Sequence, residues 1–508
     1  MPTSTRLVFT GLAIALTAAT LQAQDWNAGT GGNPQRNGLS TWRGPLAPEI
    51  LWEGGLPAVV AQPAVTEGGT AAMSRMGNIN DVLHGTRIVA CELDSGDTLW
   101  TGELPVDFPQ SDWRSRVSAI RDGRIYATRS GNDNNSFLYA LDAATGEQLW
   151  RSQDSLGESS TESPAFAEDG DLIVGSLFNV ERVNAEDGTR VWRAPRLSPT
   201  SNGNEVAVFG GRGYHWQQTG QGPAVRAIDL ESGDELYTGP GLGGLVQQVG
   251  LFVGPDGTVY APRTQNNAIT DYLVAYDDNG SALVERWRVP LGYTPFGTFG
   301  VGPDGSVYSY APDNRVIRIE PQTGAVLDSS EVIVTDFLQP RMAIGADGIV
   351  YLTNGGFSQG ALYSFDADLS TRWILPVNNV NIGGPAIGLD GTLIVCGTGD
   401  DVRAFRGEGS NAVGDDPGLA ARSPSLEQNS PNPFNPSTTI AFELPRAGWT
   451  TVRVHNVSGQ LVATLVDGRL EAGRHTVAFD GRGLPSGVYV CALDSGALSE
   501  SRAMILLK

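Results

Sequence analysis

The chain has 508 residues and a formal net charge of −22. A chain of this length exceeds what one compact core organises, so we expect at least two folding units. Lys508 is its one lysine, and because phosphate binding needs clustered Lys and Arg, the composition excludes a nucleic-acid partner.

Residues 1–24 have the pattern of a secretory signal. Arg6 precedes an apolar run over residues 7–21, and Gln22-Ala23-Gln24 follows with small and polar side chains. This order is typical of a cleavable signal peptide, so we predict that the chain is exported. No later segment approaches the roughly 18 continuous apolar residues of a membrane span, and none is predicted in the mature chain.

A hairpin motif recurs through residues 25–407. Its form is apolar-x-apolar-Asp-x-x-Ser/Thr-Gly-x-x-apolar-Trp, in which the Asp side chain favours an Asx turn and the Gly takes the positive φ that closes it. The final Trp is expected to pack against the neighbouring repeat. Seven copies end at Trp100, Trp150, Trp192, Tyr237, Trp287, Leu327 and Trp373.

A second turn, Asp-Gly or Gly-Gly, alternates with this hairpin. The two turns together give two hairpins in every repeat of about 45 residues, which indicates the four-stranded blades of a β-propeller. The chain is therefore predicted to be all-β. The glycines of the second turn are Gly123, Gly170, Gly211, Gly257, Gly305, Gly348 and Gly391.

An eighth unit, residues 384–405, has no final strand. The strand is available near the start of the mature chain, in Pro48-Glu49-Ile50-Leu51-Trp52, whose Trp52 matches the last position of the motif. Joining the two would remove the open edges that promote aggregation. Residues 25–407 are therefore predicted to form an eight-bladed β-propeller, sealed by Trp52, Trp100, Trp150, Trp192, Trp287 and Trp373.

The chain beyond residue 407 divides into a linker and a second domain. Residues 408–428 are polar, with Gly, Asp, Ser and Pro, which is typical of a linker. Residues 429–508 alternate in six or seven short strands, which predicts a small immunoglobulin-like β-sandwich.

The repeat, together with the segment Gly32-Asn33-Pro34-Gln35-Arg36-Asn37-Gly38, resembles the pyrroloquinoline-quinone-type propeller repeat. That family contains quinoprotein dehydrogenases, which hold the quinone and a calcium ion at the propeller axis, and non-enzymatic members such as an outer-membrane assembly scaffold. The adjacent cysteine pair of the dehydrogenases has no counterpart in Cys91, Cys396 and Cys491. Since their Asp, Arg and calcium ligands match no local motif either, we predict no catalytic, cofactor-binding or metal-binding residue.

The last 80 residues resemble the type IX secretion sorting domain and the related immunoglobulin-like domain of flagellar-hook capping proteins. This resemblance implies recognition by the outer-membrane secretion translocon, and a secreted or outer-membrane cell-surface location. A structural accessory sandwich is the alternative. The residues that carry the resemblance are Asn432, Pro433, Phe434, Asn435, Pro436, Gly487, Val488, Tyr489 and Lys508.

Loops that lead from one blade into the next meet at the axis of a propeller, which is where a ligand is expected. The most suggestive loop carries Trp113, Arg114 and Arg116, and a later blade has Tyr293, Phe296 and Phe299 at the corresponding place. Aromatic rings beside arginines suit a glycan or a peptide, or the rings simply pack the loop.

Two functions remain open. One is a secreted or cell-surface, non-catalytic propeller that binds an unknown extracellular glycan or protein. The other is an extracellular oxidoreductase that uses pyrroloquinoline quinone and calcium. A propeller glycan lyase or hydrolase would need converging carboxylates that the sequence does not locate.

Overall fold

The computed structural model describes most of the chain beyond residue 31, in two compact units within Met1–Ala412 and Val413–Lys508. Both units consist of antiparallel strands, so the all-β prediction is confirmed. The predicted signal peptide lies outside the described residues. Among them, no helix has the length and hydropathy needed to cross a membrane. The described ranges are 32–55, 65–76, 86–106, 114–130, 136–156, 164–197, 205–243, 245–246, 250–264, 271–292, 298–311, 313–333, 340–355, 360–377, 384–396, 401–407, 425–426, 428–444, 448–456, 461–470, 473–495 and 498–507.

The described residues of the first unit form eight sheets, numbered here in chain order. Sheet 1 contains β2 (Val65–Glu67), β3 (Thr70–Met76), β4 (Thr86–Glu92) and β5 (Thr98–Gly102). Sheet 2 contains β6 (Arg114–Arg121), β7 (Arg124–Ser130), β8 (Leu138–Asp142) and β9 (Gln148–Arg151). Sheet 3 contains β10 (Ala165–Phe166), β11 (Leu172–Gly175), β12 (Asn179–Val183) and β13 (Arg190–Pro195). Sheet 4 contains β14 (Ala207–Phe209), β15 (Arg212–Thr219), β16 (Gly222–Asp229) and β17 (Glu235–Thr238).

The next three sheets follow the same order, except that two short strands begin sheet 5. Sheet 5 contains β18 (Leu245–Val246), β19 (Phe252–Val253), β20 (Val259–Thr264), β21 (Asp271–Asp278) and β22 (Leu283–Gly292). Sheet 6 contains β23 (Phe299–Val301), β24 (Val307–Ala311), β25 (Arg315–Ile319) and β26 (Val326–Ser329). Sheet 7 contains β27 (Arg341–Ile344), β28 (Val350–Thr353), β29 (Ala361–Phe365) and β30 (Thr371–Pro376).

Sheet 8 joins the two ends of the repeat region. Its strands β31 (Pro385–Ile387), β32 (Leu393–Cys396) and β33 (Asp401–Phe405) are followed in space by β1 (Ile50–Gly55), and one turn of 3₁₀ helix, Leu389–Gly391, connects β31 to β32. Strand β1 runs antiparallel to β33, with Trp52 opposite Ala404 and Gly54 opposite Val402. The missing strand of the last repeat thus comes from the beginning of the chain.

Buried apolar clusters join each sheet to the next. The cluster that contains Tyr351, Phe405 and Cys91 connects sheets 7, 8 and 1, so the series of interfaces returns to its start. Burial of such large side chains between sheets stabilises the fold by roughly 1.5–3 kcal/mol each. Representative pairs at the other boundaries, from sheets 1 and 2 onward, are Ile88 and Ile125, Tyr126 and Phe166, Ile173 and Ile228, Trp216 and Val253, Phe252 and Phe299, and Val316 and Leu352.

The second unit is a sandwich of two sheets. Sheet 9 contains β34 (Ser425–Leu426), β35 (Ser437–Leu444) and β38 (Gly473–Asp480). Sheet 10 contains β37 (Leu461–Leu470), β36 (Gly448–Asn456), β39 (Gly487–Ser495) and β40 (Leu498–Leu506), in that spatial order. One core fills the space between them, and it includes Leu426. The sandwich therefore takes in two residues of the predicted linker.

Candidate functional site

The six tryptophans of the repeat lie at the boundaries between sheets. In five of them the indole N–H donates to a backbone carbonyl of the next sheet, three residues before the glycine of its hairpin. Trp150 donates to Ala185 at 2.9 Å, and Trp52, from the closing strand, donates to Leu93 of sheet 1 at 2.8 Å. The corresponding bonds join Trp100 to Ala143, Trp192 to Leu230, and Trp287 to Pro321.

The indole ring lies against the hairpin glycine that follows its acceptor. A β-carbon placed on Gly188 would lie 2.5 Å from the ring of Trp150. Gly188 is thus required for two reasons: its φ is positive, at 72°, and a β-carbon would overlap the ring of Trp150. Trp373 differs because sheet 8 has no such hairpin, and it donates to Leu46 at 3.1 Å, just before the closing strand.

Two boundaries have no tryptophan. Between sheets 4 and 5, the hydroxyls of Tyr214 and Tyr237 donate to the two oxygens of Asp278, and Arg212 lies 3.3 Å from the same carboxylate. Burial acts to raise the pKa of Asp278, but the tyrosine hydrogen bonds outweigh it and hold the pKa below its usual value. Tyr237 takes the position that a tryptophan has elsewhere, and its bond to Asp278 fastens sheet 4 to sheet 5.

Between sheets 6 and 7, Leu327 replaces the tryptophan and is exposed. The connection is made instead by Tyr308, whose hydroxyl donates to the carbonyl of Ala367 at 2.8 Å. The glycine of the motif is also absent, and Leu369 takes its positive φ at 65°. Both the tryptophan on one side of this boundary and the glycine on the other are therefore replaced by leucine.

A segment that precedes the closing strand, here called the strap (residues 33–46), lies along the first strands of sheets 4–7. The backbone N–H groups of these strands donate to successive strap carbonyls, all at 2.8 Å. In a propeller the first strand is the innermost one and lines the axis, so the strap lies at the axis. The pairs are Val208 with Pro34, Val253 with Gln35, Val301 with Asn37, and Ile344 with Gly38.

Several polar side chains of the strap are buried, namely those of Asn33, Gln35, Arg36, Asn37 and Ser40. Asn37 is fully buried and donates to the carbonyl of Val253 at 2.8 Å. The guanidinium of Arg36 lies 3.5 Å from Glu205, and each of these two side chains is 2% exposed or less. Removal of either charge from such a buried pair is strongly destabilising.

The strap meets the first strands at one end only. Val253, Val301 and Ile344 are the last residues of β19, β23 and β27. In every sheet the chain arriving from the previous sheet enters the first strand at its first residue, as at Arg114 in β6. The chain itself therefore covers one end of the axis over four sheets, and the first residues of these strands stand at the opposite end.

Only part of the predicted loop cluster is described. Trp113, Tyr293 and Phe296 lie outside the described residues. Arg116 is half-buried in β6, opposite Thr128. Phe299 lies in a strand and not in a loop, because it begins β23 and stacks on Phe252 with ring centroids 5.4 Å apart. Its side chain belongs to the core between sheets 5 and 6.

His215, the histidine of the repeat region that the structure describes, lies in β15 and is 1% exposed. Burial lowers its pKa well below the usual value, and the positive charge of Arg196, whose Nη1 lies 3.0 Å from His215 Nδ1, lowers it further. The ring is therefore neutral at neutral pH.

Among the described residues, no three His, Cys, Asp or Glu side chains come close enough to hold a metal ion together. Pyrroloquinoline quinone is planar and would need open space beside the first strands. The strap occupies backbone N–H groups beside the first strands at its own end of sheets 4–7.

The residues of the predicted sorting motif divide into buried and exposed ones. Phe434 and Tyr489 are buried, and the hydroxyl of Tyr489 donates to the carbonyl of Pro485 at 2.8 Å. Val488 is exposed, Gly487 pairs with Leu506, and the carbonyl of Pro436 accepts from Gly481. Asn432, Pro433 and Asn435 are exposed, and Lys508 lies outside the described residues.

Two protein families match the chain. Residues 35–327 match the family described as outer membrane protein assembly factor BamB. Residues 430–507 match the secretion system C-terminal sorting domain. No curated protein matches the chain.

Solved structures resemble the propeller at low sequence identity. BamB from Moraxella catarrhalis is 14% identical with a TM-score of 0.47, and the match covers 68% of this chain and 95% of that one. The computationally designed Ika8 protein is 14% identical with a TM-score of 0.50, covering 70% and 99%. PorZ of Porphyromonas gingivalis, a bacterial surface component of the type IX secretion system, is 15% identical with a TM-score of 0.39, covering 87% and 64%.

Proposed function

Since this chain belongs, through residues 35–327, to the family described as outer membrane protein assembly factor BamB, we propose that its propeller is a non-catalytic binding or scaffold module. The sorting domain over residues 430–507 indicates export to the cell surface or secretion. The binding module therefore acts outside the cell.

We infer further that sheets 1–8 are the blades of one closed ring, and that the second unit is an immunoglobulin-like sandwich. The pairing of β1 with β33 and the bond from Trp52 to sheet 1 support closure. Handling by the outer-membrane secretion translocon follows from the same sorting domain.

The position of the strap is the observation that supports a binding site at the loop end of the axis. Because its carbonyls occupy the N–H groups of four first strands at the other end, we infer that a ligand approaches the axis from the end where the first strands begin. Arg116, the third residue of β6, stands near that end. A glycan or a peptide is the ligand class that an aromatic loop with arginines suits.

The alternative, an extracellular oxidoreductase that uses pyrroloquinoline quinone and calcium, rests on the resemblance of the repeat to quinoprotein propellers. The binding proposal is favoured because the family that matches residues 35–327 is described as an assembly factor.

One experiment separates the two functions. The purified mature chain is tested on glycan and peptide arrays, with Arg116→Ala as the site variant and Arg406→Ala, from an exposed ion pair with Glu49, as the control. The binding proposal expects a ligand that Arg116→Ala weakens at least tenfold and the control does not. If the quinone added with calcium raises the melting temperature by several degrees and starts dye-linked oxidation, the oxidoreductase is supported instead.

A further inference from the structure

Strand β40, the last strand of the chain, stands at the edge of sheet 10. It pairs with β39 on one side, from Gly487 opposite Leu506 to Ser495 opposite Leu498. Its other side would present unpaired N–H and C=O groups, and an open edge of this kind recruits other strands. The segment around the predicted sorting motif covers that side.

Backbone contacts join the motif to the end of β40. Phe434 donates to the carbonyl of Ile505 at 2.9 Å, and Leu507 donates to the carbonyl of Phe434 at 3.0 Å. Phe434 and Leu506 thereby form a parallel bridge. Phe434 thus adds one paired residue to sheet 10 on the open side of β40.

The side chain of Asn432 continues this pairing. Its Oδ1 accepts from the backbone N–H of Ile505 at 2.8 Å, and its Nδ2 lies 3.4 Å from the carbonyl of Ala503, which also accepts from Gln428 at 2.8 Å. A carboxamide offers the same donor and acceptor as a peptide group. Asparagine therefore imitates one more residue of a neighbouring strand, which aspartate, without a donor, does only in part.

Phe434 holds the segment in place through the core. Its side chain is 1% exposed, and its ring centroid lies 5.8 Å from that of Phe479. Asn429 fastens the preceding turn, since its Nδ2 donates to Thr438 Oγ1 at 3.0 Å. The Phe434 ring and Asn429 thus fix the segment to strands of sheet 9, while the Phe434 backbone and the Asn432 side chain bond to the last strand.

We propose that Asn432 and Phe434 are positioning residues for export: they fix the edge and register of β40, and so set the form in which the C-terminal strand meets the secretion machinery. This inference rests on the export role of the sorting domain proposed above. The motif acts through the strand that it holds, without touching the machinery.

The test uses the full chain in a bacterium with type IX secretion, together with amide hydrogen exchange of the purified protein. Asn432→Ala is expected to raise the exchange rates of the Ile505 and Leu507 amides at least tenfold and to lower export at least fivefold. Asn432→Asp keeps the acceptor for Ile505, so both effects are expected to be intermediate. Arg482→Ala, which removes an exposed ion pair with Asp480 in the same unit, is the control that changes neither.

The outcomes are distinct. The inference is overturned if Asn432→Ala lowers export with unchanged amide exchange, because the side chain then acts by contact, or if exchange rises and export continues. Phe434→Leu serves as the core variant, since Phe434→Ala removes so much buried volume that the unit is at risk of unfolding. Removal of residues 425–508 tests the export role itself: if export persists without them, the proposed function fails independently of the positioning role.

Discussion

Neighbouring sheets of the propeller are joined by single residues: the tryptophan ring of one sheet packs against the hairpin glycine of the next. Trp150 shows the full arrangement, with its N–H on Ala185 and its ring on Gly188. A buried tryptophan buries a large apolar area, and the hydrogen bond from its N–H fixes the orientation of the ring. Each such repeat is thus fixed to its neighbour by one tryptophan, which occupies the space that the glycine leaves free.

Two glycines allow the two roles of the motif glycine to be tested separately: its positive φ and the space that it leaves for the tryptophan ring. Gly123 and Gly188 have φ values of 71° and 72°, but only Gly188 has a ring where its β-carbon would be. Gly123→Ala is expected to lower the free energy of unfolding by about 1 kcal/mol through the left-handed backbone. Gly188→Ala is expected to lower it by about 3 kcal/mol, because the ring of Trp150 must also move. Equal losses in chemical denaturation of the two variants would refute the packing role of the glycine.

The buried His215 predicts a dependence of stability on pH. Its pKa is lower in the folded chain than the value of about 6.5 in the unfolded one. Stability is therefore complete above pH 6.5 and falls as the pH drops towards the folded pKa, because only the unfolded chain takes up the proton. The slope is expected to be up to about 1.4 kcal/mol per pH unit, and His215→Gln should remove that part. Urea denaturation from pH 7.5 to 5 measures it, with His475→Gln in the other unit as the control.

At the scale of elements, the strap is a segment of the first unit that does not belong to any of the repeated hairpins. It crosses four sheets and bonds one N–H group in each, so these four amides report its docking together. Its buried Arg36 and Glu205 make this docking sensitive to one substitution.

Arg36→Ala removes the positive charge 3.5 Å from the buried Glu205 carboxylate, so the strap is expected to open more often. The amides of Val208, Val253, Val301 and Ile344 should then exchange at least tenfold faster, whereas amides between second and third strands keep their rates. Hydrogen exchange followed by NMR or mass spectrometry measures this, and Arg406→Ala is the exposed control. Protection of the four amides that survives Arg36→Ala would show that the strap is held without this ion pair.

At the scale of the whole molecule, the proposed ring closure predicts that the first described strand is as important as an internal one. Terminal strands of open structures fray, and substitutions in them have small effects. Trp52 and Trp100 make equivalent bonds of 2.8 Å to the next sheet. In a closed ring, Trp52→Ala and Trp100→Ala should each cost about 3–5 kcal/mol in a single unfolding transition. A much smaller loss for Trp52→Ala, or a separate early transition, would indicate an open array.

The sequence by itself determined the all-β class, the repeat with its glycine turns and tryptophans, and the strand that completes sheet 8. These features are local or periodic, because turn chemistry and the alternation of buried side chains act over a few residues and recur. The match of Trp52 to the motif was enough to locate the closing strand in the sequence.

Only the tertiary structure decided the position of the strap, the burial of Phe299, and the contacts of Asn432 and Phe434 with the last strand. Each depends on residues far apart in the chain, as when Gln35 meets Val253 or Asn432 meets Ile505. A sequence pattern states which groups need a partner, since every buried N–H and C=O must be paired. The three-dimensional approach of distant segments decides which partner each group receives.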